Sequence, residues 1–154
     1  RRRAGARYAL GDAYVDAAME LLQAPGMYDP DPPGVDVYTS VAETILSGGD
    51  CEDLSGALVA LTELGRARWE LASRGRLVWL EQDGAPLDHV SAAVAVSGAG
   101  DLAAPLVMPP GDLPPGWRWA ECSIRAARGE SPYAALARIG GEHDRIFAGR
   151  LAAA

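Results

Sequence analysis

Apolar positions recur at three- to four-residue spacing in several stretches of the chain and alternate in the stretches between them. Over 11–24, Ala13, Ala17 and Leu21, with Tyr14, Ala18 and Leu22, form one helical stripe. Asp12 is placed to cap that helix and Pro25-Gly26 to stop it. Residues 25–35 hold four Pro and two Gly, so they read as a loop; Asp29 and Asp31 in it suggest a metal site, against which stands the reading of a Pro-rich turn with solvated acids. A second helix is predicted over 36–47, with Val37, Val41, Thr44 and Ile45 inward and Gly48-Gly49 ending it. A third is predicted over 51–64, with Asp50 as N-cap and Gly65 just past its end. Residues 67–81, which include Trp69, Leu71, Leu77 and Trp79, read as a bent strand or two short ones with a kink at 73–75. Over 87–96 the alternation is clean: Leu87, His89, Ser91, Ala93 and Ala95 share one face, and Asp88, Val90, Ala92, Val94 and Val96 the other. A long Gly- and Pro-rich excursion follows over 97–116, then a strand over 117–124 and a closing helix over 132–148 with Ser131 at its N-cap and Pro132 at N1. Helices, then antiparallel strands, then a helix predict an α+β domain.

Composition narrows the class of partner. The 154 residues are one ordinary domain by length, 49% of them apolar, with the Arg-rich residues 1–10 read as a solvated tail. Every cation is Arg, and 14 cations against 21 acids leave a net charge of −7. That balance argues against nucleic acid as a partner, because phosphate contacts need clustered cations. No apolar run approaches the roughly 18 residues of a membrane span. No charged start leads into an apolar run either, so a cytoplasmic location is expected for a chain that opens on Arg1. Two cysteines are too few for a disulfide scaffold.

The candidate chemistry lies in GGDCEDLSGALVALTELG at 48–65. Cys51 falls in the first turn of a predicted helix, where free backbone N–H groups and the helix dipole favour a thiolate and could hold an oxyanion. Alone, Cys51 reads rather as a small buried hydrophobe. His89, 38 residues later in the alternating strand, supplies the base that a nucleophilic thiol needs, and the small residues beside it would let a helix approach. Glu121 is the candidate to orient the imidazole, because a carboxylate in a strand flanked by Trp117 and Trp119 on one side and Ile124 on the other is costly unless paired. Asp88 is the rival, although alternation turns it away from His89. Cys122 reads as core packing, and His143 as a surface residue. Trp117 and Trp119 read as core or as walls of a groove.

The block GGDCEDLS, a strand pair, DHV in a strand and an acid in a later strand resemble the transglutaminase-like superfamily over roughly residues 36–125. The block is closest to the bacterial transglutaminase-like cysteine proteinases, with GDCEDYA around their nucleophile, and to phage-encoded relatives. The resemblance implies a papain-like core in which a helix starting at the nucleophile packs on an antiparallel sheet. It places Cys51 as nucleophile, His89 as base and Glu121 where the family usually has Asp. Cys122 stands where Asn or Thr often follows that acid, and the 31 residues between His89 and Glu121 exceed the usual spacing. The proteinase relatives bind calcium through acids flanking the nucleophile, which implies Asp50 and Glu52 here. The alternative is that Asp50 caps the helix while Glu52 and Asp53 complement its dipole. Those acids would also raise the Cys51 pKa unless an ion or Arg compensates.

The expected activity is hydrolysis of peptide or amide bonds in a peptide or protein substrate through a thioester acyl-enzyme, with no cofactor required. Two other classes stay open: a binding or structural module, as in phage-related members, that leaves the triad unused, and an acyltransferase with a thioester donor.

Overall fold

A computed structural model describes residues 2–32, 35–82, 85–95, 106–108, 113–124, 126–127 and 129–138. Helix α1 runs Arg2–Leu22, so the Arg-rich start read as a tail is its first turns. Its Val15, Ala18, Met19 and Leu22 are buried; of the stripe anticipated for 11–24, Ala18 and Leu22 are buried and Tyr14 half-buried, whereas Ala13, Ala17 and Leu21 face solvent. Helix α2 is shorter than expected, Val41–Ser47. Ser40 caps it: its Oγ accepts from Glu43 N–H while the Glu43 carboxylate accepts from Ser40 N–H. That capping box fixes the start and leaves 36–40 extended, so Val37 and Val41 are exposed while Thr44 is buried.

Helix α3 runs Cys51–Trp69, one turn past the Gly65 stop read from the sequence. Gly65 lies inside the helix because α1 crosses there: a Cβ on it would come within 2.7 Å of the Tyr14 ring. The end is set by Glu70, whose left-handed backbone (φ 52°) lets its N–H reach the Gly65 carbonyl. Trp69, expected in a strand, is the last residue of α3 and meets Tyr14 edge to face at 5.5 Å.

The sheet contains β1 (Arg74–Gln82), β2 (Ala85–Ala95), β3 (Leu106–Met108) and β4 (Trp117–Ala120) in the order β3-β1-β2-β4. β2 is antiparallel to both β1 and β4, while β3 is parallel to β1. The short β3 falls in the span read as an irregular excursion, and the strand read over 117–124 ends at Ala120 in a turn. Residues 132–138 form helix α4; the rest of the expected closing helix, with His143, lies outside the described residues. Tyr133 on α4 anchors it to β1, its hydroxyl donating to the Glu81 carbonyl and accepting from the Glu81 N–H.

Helix α3 packs Leu54 and Leu58 against Ala92 and Val94 of β2, with α1 completing that core. Ala93 and Ala95 lie in a second cluster with Trp117, Trp119, Val78 and Leu80. The face of β2 that the helix meets is therefore the Val90–Ala92–Val94 face, and the Ser91–Ala93–Ala95 face expected there packs with the tryptophans. Both are apolar or small, so composition did not separate them. Among the described residues no helix is long and apolar enough to cross a membrane. The arrangement is a mixed helix-and-sheet α+β architecture.

Candidate active site

The turn before Cys51 is built by backbone pairing and by the absence of side chains. Gly49 N–H donates to the Met27 carbonyl and Asp29 N–H to the Gly49 carbonyl, which stitches the Pro-rich loop to the helix entry. Gly48 has φ +86°, and a Cβ there would stand 2.3 Å from the Met27 carbonyl oxygen, so only glycine fits. A Cβ on Gly49 would strike the Asp53 side chain at 2.6 Å. Asp53 is held in turn by Thr39, whose N–H donates to its Oδ1 at 2.9 Å. Asp50 occupies the N-cap position, but its side chain makes no capping bond, contrary to the structural role read for it.

Cys51 thus opens α3, buried to 3% exposure, on the wall of a cavity of about 400 Å³. The cavity is also bordered by His89, Val90, Glu52, Tyr38 and Trp79. The tryptophan at the groove is Trp79, 40% exposed, whereas Trp117 and Trp119 are core. Pairing of β1 with β2 is irregular between Trp79↔Val90 and Glu81↔Pro86, so one residue of β1 faces three of β2.

His89 Nε2 lies 3.0 Å from Glu121 Oε2, with both side chains buried. The turn after β4 cradles the carboxylate: Ser123 N–H and Oγ donate to Glu121 Oε1 at 2.8 and 2.6 Å, and Ile124 N–H at 3.3 Å. Burial pushes the Glu121 carboxyl up. The His89 charge and hydrogen bond, with the Ser123 and Ser91 hydroxyls, outweigh it and hold the group below its ordinary value. A carboxylate accepts only, so His89 Nε2 carries the proton of this bond. Gln23, just past α1, ties the same turn down, its Nε2 donating to the carbonyls of Glu121 and Ala126 at 2.6 and 3.3 Å.

The acids flanking the thiol do come together. Asp50, Cys51 and Glu52 place one ligand atom each within 4.8 Å of one another, and Asp31, Asp36 and Glu52 do the same. Cys51 Sγ donates to Glu52 Oε2 at 3.1 Å. Burial is the main cause that pushes the Cys51 thiol up; the Val90 N–H opposes it, while Glu52 and Asp50 add to it. Burial and the hydrogen bond with Asp50 raise Glu52 to about 7. An excess of carboxylates in part-buried surroundings suits a hard, oxygen-seeking cation, so the donor set fits calcium. Asp31, read as a solvated turn residue, belongs to this group, and its Oδ2 also accepts from Val37 N–H.

Cys122 is buried in the helix-facing core, as read from the sequence. The side chain of Asp88 lies outside the described residues. Ser123 and Gln23 carry no role in the sequence reading, and Asp53 only that of complementing the helix dipole. Ser123, two residues past Glu121, was the one with a visible signal, since Ser favours turns by bonding nearby carboxyl and backbone groups. No family model matches this chain, and searches of curated proteins and of solved structures likewise returned no match.

Proposed function

We propose that the chain is a transglutaminase-like cysteine hydrolase with a papain-like core, cleaving peptide or amide bonds. The observation that carries this reading is the buried His89–Glu121 hydrogen bond beside the cavity that Cys51 borders. With Nε2–H committed to Glu121, His89 Nδ1 is the nitrogen to take the thiol proton as Sγ attacks a carbonyl carbon. The tetrahedral oxyanion would be met by the N–H groups at the start of α3, which a helix leaves without intrahelical partners. Collapse would expel the amine, protonated by the imidazolium, and leave a thioester that water hydrolyses; an amine in place of water would give acyl transfer.

Glu52 opposes the first step by accepting from the thiol. Calcium held by Asp50 and Glu52, with Asp31 and Asp36 near enough to join, would supply positive charge that draws Glu52 from the sulfur. Calcium at a hundredfold excess over its dissociation constant should then stabilise the fold by about 2.7 kcal/mol. The expected outcome is a higher melting temperature with calcium that a chelator reverses; an unchanged melt would remove the ion from the account.

Alkylation of Cys51 by iodoacetamide at pH 7, read on its peptide by mass spectrometry, tests the pair. Labelling faster than an ordinary buried thiol, slowed roughly tenfold or more in His89→Ala, is expected. Labelling indifferent to His89 would favour a second reading, a binding or structural module with the triad unused. That reading draws on the burial of Cys51 and the raised pKa of its thiol.

A further inference from the structure

Ser55 stands one turn of α3 beyond Cys51, fully buried on the side of the helix that meets the sheet. Strand β4 pairs with β2 only over Ala92–Ala95 and then turns away at Ala120, so β4 does not cover β2 beside Val90. Ser55 Oγ donates to the Val90 carbonyl at 3.1 Å, a buried bond between residues 35 apart. The N–H and carbonyl of one strand residue point to the same side. Two groups one turn apart on the helix, the thiol and the hydroxyl, therefore meet the two backbone groups of a single residue. The Val90 N–H lies against the Cys51 sulfur. His89 is the preceding residue, so whatever fixes the Val90 backbone also fixes the root of the imidazole.

We propose that Ser55 is a positioning residue: its hydroxyl pins the Val90 backbone to α3 and thereby sets the separation of the Cys51 thiol from the His89 imidazole. The proposal rests on the reading of Cys51 and His89 as a working pair. A hydroxyl that only satisfied a buried carbonyl would matter for stability and not for reactivity at Cys51.

The test is iodoacetamide labelling of the intact chain at fixed pH 7, read at Cys51, with folding checked by circular dichroism. Ser55→Ala should slow labelling roughly tenfold, since small misplacements of reacting groups are costly. Ser55→Thr, which keeps the donor, should stay within about threefold of the parent. Ser55→Val, nearly the same shape without the donor, should behave as Ser55→Ala. In a His89→Ala background, Ser55→Ala should cause no further slowing, because a positioning residue has nothing left to position. A folded Ser55→Ala that labels at the parent rate, a Val variant that labels like the Thr variant, or effects that multiply in the double variant would each overturn the proposal alone. A His89→Ala variant that labels at the parent rate would overturn the functional reading and this proposal with it.

Discussion

Glu121→Gln should leave the chain folded and cut hydrolysis of a small activated ester such as p-nitrophenyl acetate by about 10²- to 10⁴-fold. The amide is nearly isosteric, and its oxygen can still accept from the Ser123 and Ile124 donors that cradle Glu121 Oε1. What changes is the atom facing His89. An amide nitrogen donates, so His89 Nε2 must become an acceptor and the ring proton moves to Nδ1. The nitrogen needed to receive the thiol proton is then blocked. Losing a charged, buried hydrogen bond should also lower stability by about 1.5–3 kcal/mol. The pH dependence has a definite sign. Glu121 is held below its ordinary value in the folded state, so its contribution is present above the unfolded carboxylate pKa, near 4.3, and is lost as pH falls through the folded value. The melting curves of parent and variant should therefore converge in acid. An ester hydrolysis rate unchanged in folded Glu121→Gln would move the orienting role to another residue.

Cys51→Ser should abolish the same ester hydrolysis, to at most about one thousandth of the parent rate, because an alcohol beside Glu52 and Asp50 is far less acidic than the thiol it replaces. Its melting temperature should stay close to that of the parent. Cys51 borders a cavity and has Glu52 Oε2 within reach, so a hydroxyl there finds an acceptor. The matched control is Cys122→Ser. Cys122 is equally buried but sits in the apolar cluster with Ala92 and Ala120, its sulfur 3.8 Å from the Ala120 carbonyl. A hydroxyl there is expected to cost about 1–3 kcal/mol. If Cys51→Ser instead destabilises as Cys122→Ser does while hydrolysis persists, Cys51 is packing and the nucleophile lies elsewhere.

The sequence by itself determined the elements whose cause is local. GGDC predicted a helix beginning at Cys51, because two glycines can occupy a turn that the Met27 carbonyl and Asp53 close to side chains. The acid at 121 was legible as a partner for His89 because an unpaired carboxylate in the apolar stretch from Trp117 to Ile124 is costly. The buried role of Cys122 followed from its apolar flanks.

Where the reading failed, the deciding contact was distant in the chain. Gly65 looked like a helix stop, yet its small size serves the crossing of α1 at Tyr14, some fifty residues earlier. The face of β2 that meets α3 could not be chosen locally, since Ala92–Val94 and Ala93–Ala95 are alike in size and polarity and only the whole packing assigns them. The interrupted pairing at 87–89 depends on a register that two strands fix jointly. Asp31 looks like a solvated turn acid and nothing local marks Asp36; only the fold brings both to Glu52. Periodicity and turn chemistry report what each residue requires of its neighbours in sequence. Burial, charge at Cys51 and the bond from Ser55 to Val90 are properties of groups that meet only after the helix docks on the sheet, so tertiary structure alone decided them.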